Sequence, residues 1–184
     1  MTSKVIDASR YGFSKEDRIL VDANIWLYLF GPKPPDSAPA RTYSAVLKVL
    51  QTAGVQLFLD VLVLSEFVNR YLRDQHRVLA VPGAAISGDF KTFRDSTDFV
   101  PVAEAVQRSV MLIGKFAKPI DHMLTKVDLM ALLGEFAKGA QDINDELLAE
   151  ACKVHGLALL SNDADVAQSG ITLFTTNPHL LRRR

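Results

Sequence analysis

The chain has 184 residues, of which 48% are hydrophobic and 23% charged, and its 21 basic and 21 acidic residues give a formal net charge of +0. This balance argues against a general nucleic-acid coat protein, which carries a basic excess, but not against a nuclease whose carboxylates mask nearby basic residues. A single cysteine, Cys152, excludes an intramolecular disulfide, and no apolar run approaches the ~20 residues of a membrane span, so we expect a cytoplasmic protein.

The first half of the chain alternates short apolar runs with amphipathic segments. In chain order it is predicted to contain a polar lead-in (1–17), a strand (18–22), a helix (24–30), a proline-rich loop (31–36), a helix ended by Gly54 (40–52), a strand (55–59) and a long helix (62–78).

The second half begins with a helical region and returns to strands near its end. It is predicted to contain a loop (82–88), three helices (89–96, 102–116 and 125–137), a break or short strand (139–141), a helix stopped by Gly156 (145–155) and two strands (157–161 and 171–175).

The predicted strands are short, apolar on both faces and separated by helices. This pattern is typical of an α/β fold in which helices cover both faces of a parallel sheet, here of four to five strands in a Rossmann-like three-layer arrangement. The length favours one domain over residues 1–184, with residues 1–17 as a lead-in and residues 80–140 as a helical region.

Acidic residues follow several of these strands. In a parallel sheet, the carboxyl ends of the strands meet at one edge, where ligands bind. The helix over residues 145–155 runs antiparallel to the strand after it, so its N-terminus belongs to the same edge. The acids placed there are Asp22, Asp60, Glu66, Asp142, Asp145, Asp163 and Asp165.

Carboxylates this close repel one another unless some take up protons or a hard cation binds among them. Mg²⁺ and Mn²⁺ prefer oxygen ligands, so an acidic ring without histidine or cysteine suits them. A divalent cation at such a ring supplies what phosphodiester hydrolysis needs, an activated water and a positive charge near the phosphoryl oxygen.

Each acid also has an ordinary structural role open to it. Asp60 and Asp142 are better explained as helix N-caps, and Asp145 is equally well explained by the helix dipole. Glu66 alone would be read as a surface residue, and Asp163 with Asp165 as a solvated turn. Asp22 resists such a reading, because it lies inside an apolar run where an unpaired charge is costly.

Four segments together resemble the PIN-domain family. ILVDANIWL (19–27) resembles the family's opening strand, with its first acid followed two positions later by Asn or Ser. LVLSEFVNR (62–70) is similar to the helix carrying the second acid. DELLAEACKVHGLALLSNDAD (145–165) resembles a third acid opening a helix, then glycine, an apolar strand and Thr/Ser-x-Asp-x-Asp, and ITLF (171–174) suits the closing strand.

The resemblance implies a metal-dependent endoribonuclease. It implies that one or two Mg²⁺ or Mn²⁺ ions are held by four acids that also form the catalytic set, namely Asp22, Glu66, Asp145 and Asp163. Asp165 would be a fifth acid, and Asn24 and Ser161 would orient carboxylates or water. Many members (the VapC type) are toxins silenced by an antitoxin, and homodimers are common. Ser161 replaces the usual Thr and Val166 an aromatic, and residues 80–140 match no family motif.

Three other functions stay open. A phosphatase of the haloacid-dehalogenase type needs a second Asp two positions after the first, where this chain has Asn24. A flap-endonuclease-like DNA enzyme needs more acids and a larger DNA-gripping region. A non-catalytic PIN-like protein-interaction module needs no acids, whereas all four are present. The four histidines lack metal-ligand spacing, and Arg70 and Arg73 are read as solvated although they lie near enough to Glu66 to touch phosphate.

Overall fold

The structure is a computed structural model that describes residues 3–33, 36–80, 89–137, 139, 142–168 and 170–182. Across these residues, six strands form one sheet in which every pairing is parallel. The strands are β1 (Lys4–Asp7), β2 (Arg18–Val21), β3 (Gln56–Leu59), β4 (Ala117–Pro119), β5 (Ala158–Leu160) and β6 (Thr172–Thr175), and they are ordered β1-β6-β5-β2-β3-β4.

Helices connect most of these parallel strands and flank the sheet. They are α1 (Ala23–Phe30), α2 (Ala38–Thr52), α3 (Val61–Leu79), α4 (Phe90–Arg94), α5 (Phe99–Phe116), α6 (Leu129–Phe136), α7 (Ile143–His155) and α8 (Pro178–Leu181). Short 3₁₀ turns cover Leu124–Lys126 and Asp165–Gln168. Helix α1 packs against α2, α3 and α5, whereas α6 packs against α7.

The buried positions of the central strands are mostly apolar because helices cover the sheet. Ile19 and Leu20 in β2, Leu159 in β5 and Leu173 in β6 are each 0% exposed. Burying such side chains stabilises the fold by about 1.5–3 kcal/mol each. This continuous burial fixes β2 in the middle of the sheet and therefore fixes the position of Asp22, which follows it directly.

Two glycines end helices where the chain must turn sharply into a strand. Gly54 follows α2 with φ +71°, and Gly156 follows α7 with φ +62°. Both angles lie in the left-handed region that other residues rarely adopt. The two helix ends predicted from these glycines are confirmed, and each leads directly into a central strand.

The predicted α/β class with a parallel, helix-covered sheet is confirmed, but the predicted strand number was wrong. Among the described residues six strands are present instead of four to five, because β1 lies inside the expected lead-in and β4 follows α5 without a break. The helix expected over residues 125–137 is shorter, since a 3₁₀ turn precedes α6. Gly139 is a turn residue, and the rest of the break or short strand expected over residues 139–141 lies outside the described residues, as does the loop over residues 82–88.

No helix in the described part of the chain is long and apolar enough to cross a membrane.

Candidate active site

The carboxyl ends of three neighbouring strands gather the acids at one edge of the sheet. Strand β2 lies between β5 and β3, so Asp22 at the end of β2 has neighbours on both sides. Glu66 is on α3, which follows β3, and Asp163 is on the loop that follows β5. Asp145 is in the first turn of α7. The topology thus places residues far apart in sequence around one point.

Asp22 is the buried centre of this arrangement, with only 6% of its surface exposed. It occupies the N-cap position of α1 but makes no side-chain cap bond. Its Oδ2 instead accepts hydrogen bonds from Asn24 Nδ2 and from Ser161 Oγ, the latter at 2.6 Å. The other oxygen, Oδ1, accepts no hydrogen bond from these two side chains, and the two donors fix the orientation of the carboxylate.

The loop after β5 is held to Asn24 by a short network. Ser161 Oγ accepts from Asn24 Nδ2 at 3.0 Å and from the Asp163 backbone N–H at 2.9 Å. Asn24 Oδ1 accepts from the Asn162 backbone N–H at 3.1 Å. Asn24 and Ser161 therefore contact both Asp22 and the loop that carries Asp163, which positions the two acids relative to each other.

The pKa values of two acids show the cost of this crowding. Burial raises the pKa of Asp22 from 3.8 to about 6, against the lowering effect of the Ser161 hydrogen bond, and the charges of Glu66 and Asp163 raise it further. Burial also raises the pKa of Asp145 from 3.8 to about 7, with contributions from the charges of Asp163, Asp22, Asp142 and Asp165. The five acids named from the sequence thus interact electrostatically.

Three of the predicted acids, Asp22, Glu66 and Asp145, line one open cleft of about 250 Å³, hereafter the acid cleft. Asp163 and Asp165 are exposed and lie outside its lining, and they act on it through their charge. The other residues that line the acid cleft are Leu62, Val63, Ser65, Asn69, Arg70, Arg73, Asn144 and Leu148.

The donor set fits a hard divalent cation, because every candidate ligand is a carboxylate oxygen and because these carboxylates resist being charged together. The side-chain positions are not those of a closed metal cage: among the described residues, no three His, Cys, Asp or Glu side chains are grouped closely enough to hold a metal ion. Mg²⁺ commonly uses one or two carboxylates and keeps several waters, which suits an open cleft of this kind.

Arg70 carries a positive charge into the acid cleft. Its Nη1 lies 2.9 Å from Glu66 Oε1, one turn earlier on α3, and the two side chains are 52% and 41% exposed. Although burial opposes the shift, Glu66, Asp74 and Asp22 raise the pKa of Arg70. The sequence interpretation of Arg70 and Arg73 as solvated residues missed their place in the cleft lining.

Two sets of contacts near the site could not be identified from sequence. The Asn162 side chain is held by the hydroxyls of Tyr43 and Tyr28, at 2.9 Å and 3.3 Å, and the tyrosine rings stack with centroids 5.9 Å apart. Asp60 is fully buried and accepts from Leu62 N at 2.7 Å, while its Oδ2 lies 3.0 Å from His122 Nδ1. The predicted capping roles of Asp60 and Asp142 are confirmed. The contact of Asp60 with His122, which lies 62 residues away in sequence, was not predicted.

The raised pKa values predict how the stability of the metal-free protein depends on pH. Because Asp22 and Asp145 bind protons more tightly when folded, their contribution to stability is full below pH 4 and is lost as pH rises to about 7. Asp145→Asn removes one such group. We expect the difference between the Tm of wild type and the Tm of this variant to change by about 2–4 °C, to the disadvantage of wild type, as the pH rises from 5.5 to 8 in EDTA. This is less than the full pKa shift of Asp145 implies, because Asp145 is partly exposed. A constant Tm difference across this range would contradict the raised pKa.

Comparison with known proteins agrees with this architecture. Residues 19–171 match the family described as PIN domain, so the chain belongs to the PIN-domain family. No curated protein sequence matches the chain.

Several solved structures resemble this one, among them the following two. A chain of VapBC2 from Rickettsia felis, in a crystal structure bound to a DNA fragment from the promoter, aligns with a TM-score of 0.54 and 16% identity over 86% of this chain and 98% of that chain. PAE2754 from Pyrobaculum aerophilum aligns with a TM-score of 0.49 and 16% identity over 90% and 96%. The likeness to the VapBC2 chain supports the PIN-like fold of a parallel sheet flanked by helices.

Proposed function

We propose that this protein is a metal-dependent endoribonuclease. The observation that carries the proposal is the acid cleft, in which Asp22, Glu66 and Asp145 face the same space at the carboxyl edge of the sheet. PIN-domain membership adds to it, because this family typically contains nucleases. Mg²⁺ or Mn²⁺ is the cation that such a set of oxygen donors would take.

The acids and their neighbours would have different roles in this reaction. Asp22, Glu66, Asp145 and Asp163 would hold the cation, with Asp165 contributing charge or a water-bridged contact. When bound, the cation supplies an activated water and stabilises negative charge on a phosphoryl oxygen. Asn24 and Ser161 hold the Asp22 carboxylate in one orientation. One carboxylate of the set would accept a proton from the attacking water, and the open cleft would leave the cation accessible to an RNA phosphodiester.

Cleavage of a mixed panel of structured and unstructured RNAs tests this proposal. Wild type is expected to cut RNA in Mn²⁺ or Mg²⁺ and to stop in EDTA. Glu104→Gln is a suitable control, since it removes a carboxylate from α5 that pairs with Arg108 and lies outside the acid cleft. Equal activity with and without EDTA would overturn the metal-dependent mechanism.

A non-catalytic interaction module is the second candidate, and the absence of a grouped metal-binding set among the described side chains favours it. Such a module would bind no Mn²⁺ and cut no nucleic acid. A folded protein that binds Mn²⁺ but cuts none of the RNAs would have a narrower substrate. Cleavage of DNA or of a phosphomonoester in the same assay would favour a DNA nuclease or a phosphatase.

The likeness to a chain of a VapBC2 complex supports a further part of the proposal, a toxin held by a protein antitoxin in the cytoplasm. We also propose a homodimer, as the family resemblance implies. Sedimentation of the purified chain, alone and with the product of a neighbouring short gene, tests both parts. A monomer that captures no such product would contradict them while leaving the nuclease proposal intact.

A further inference from the structure

Arg70 lies between two clefts. It lines the acid cleft, and it also lines a smaller neighbouring cleft together with Asn24, Leu27, Tyr28, Pro32, Lys33 and Asp74. Its guanidinium therefore stands at the border between the candidate metal ligands and a surface that carries a second basic residue, Lys33.

The charges around the acid cleft are unequally placed. Arg73, the other basic residue of the lining, has its guanidinium over the Phe90 ring at 5.4 Å. Within the described residues, the ion pair that reaches an acid of this cleft is that of Arg70 with Glu66. Arg70 is thus the side chain that offsets the negative charge of the cleft when no cation is bound.

We propose that Arg70 is the resident counter-ion of the metal-free cleft, competing with the divalent cation for Glu66 and turning to an RNA phosphate once that cation is bound. This inference rests on the proposed nuclease function and assigns Arg70 as a substrate-positioning residue.

The exchange follows from the chemistry of the pair. An arginine does not lose its proton at any working pH, so its charge leaves Glu66 only if the side chain moves. The pair joins residues one turn apart and is about half exposed, so breaking it costs little. The planar guanidinium is suited to contact a phosphate. The neighbouring cleft carries a second cation beside it, Lys33, which pairs with Asp74 at 3.6 Å.

Calorimetric titration of Mn²⁺ into metal-free protein at low salt tests the competition. Arg70→Gln is expected to lower the Kd for Mn²⁺ about two- to fivefold, the range that a surface ion pair allows. Arg108→Gln is the matched control, because it removes the arginine of another i,i+4 pair with a glutamate, Glu104 on α5, and both residues lie outside the two clefts. At saturating Mn²⁺, Arg70→Gln is also expected to raise the KM for RNA more than it lowers kcat.

The outcomes separate this inference from the proposed function. If wild type binds Mn²⁺ and Arg70→Gln binds it equally or more weakly, the counter-ion role is overturned and the nuclease proposal stands. An unchanged KM would overturn the phosphate contact. If neither protein binds Mn²⁺, both proposals fail, whereas binding by Arg70→Gln alone would support the competition and count against a metal-dependent wild-type enzyme.

Discussion

Asp22→Asn is expected to reduce metal-dependent RNA cleavage at least about 100-fold, the scale of removing a group that acts directly on the reacting atoms. The same substitution is expected to leave the free energy of unfolding at pH 8 unchanged or higher. In wild type, Asn24 and Ser161 donate hydrogen bonds to Asp22 Oδ2. An asparagine at position 22 keeps one oxygen that can accept both of these hydrogen bonds.

The two effects have one cause. The Asp22 carboxyl is buried and its pKa is raised to about 6, so at pH 8 the folded protein holds an unfavourable negative charge. A neutral side chain removes this charge and with it the attraction for a cation. Residues placed for function commonly reduce stability in this way.

Parallel measurements of cleavage and of urea unfolding in EDTA test this prediction, with Glu104→Gln as the control that keeps the acid cleft intact. Full activity of Asp22→Asn would remove Asp22 from the catalytic set. Loss of activity together with a large loss of stability would mean that the carboxylate serves the fold instead of the chemistry.

Asp60→Ala is expected to lower the free energy of unfolding by about 2–4 kcal/mol. Loss of the N-cap of α3, where Asp60 Oδ1 accepts from Leu62 N, accounts for about 1 kcal/mol. His122 would also lose its Nδ1 partner while remaining 13% exposed, at a further cost of about 1–3 kcal/mol. Its Nε2 has no hydrogen-bond partner among the residues that the structure describes, so no second contact there compensates.

Asp60→Asn is the matched variant, since its amide oxygen can still cap α3. Urea unfolding of both variants should show the smaller loss for Asn. Equal losses would mean that the contact with His122, and not the cap, carries the stability, and a loss below 1 kcal/mol for Asp60→Ala would contradict the buried pair.

Much of the fold follows from local pattern, and the exceptions have physical causes. Continuous apolar runs such as Ile19–Val21 predict the central strands. Strand β1 is four residues long at the sheet edge, with one exposed and three half-buried residues, so it has no buried pattern to detect. Strand β4 starts at Ala117 directly after α5 and contains Pro119, a residue that argues against a strand.

The candidate site was predictable in its acids and in Asn24 and Ser161, whose side chains donate to Asp22. Asp22, Glu66 and Asp145 belong to segments with a recognisable pattern, and the structure places all three in one cleft. The supporting contacts join residues far apart in sequence, as in the hydrogen bond from Tyr43 to Asn162, and no local pattern encodes such a pairing. The ion pair of Arg70 with Glu66 is local in sequence. Its proposed role depends on Asp145 and Asp22, the acids that α7 and β2 place near it.

Titration of Mn²⁺ followed by electron paramagnetic resonance shows whether the acid cleft binds a divalent cation. Bound Mn²⁺ loses the sharp six-line signal of the free ion. We predict that wild type removes this signal at pH 8, that binding weakens as pH falls below about 7 and Asp145 takes up a proton, and that Asp145→Asn and Asp22→Asn bind much more weakly. An undiminished signal with folded wild type at pH 8 would contradict cation binding by the acid cleft. So would variants that both bind Mn²⁺ as tightly as wild type does.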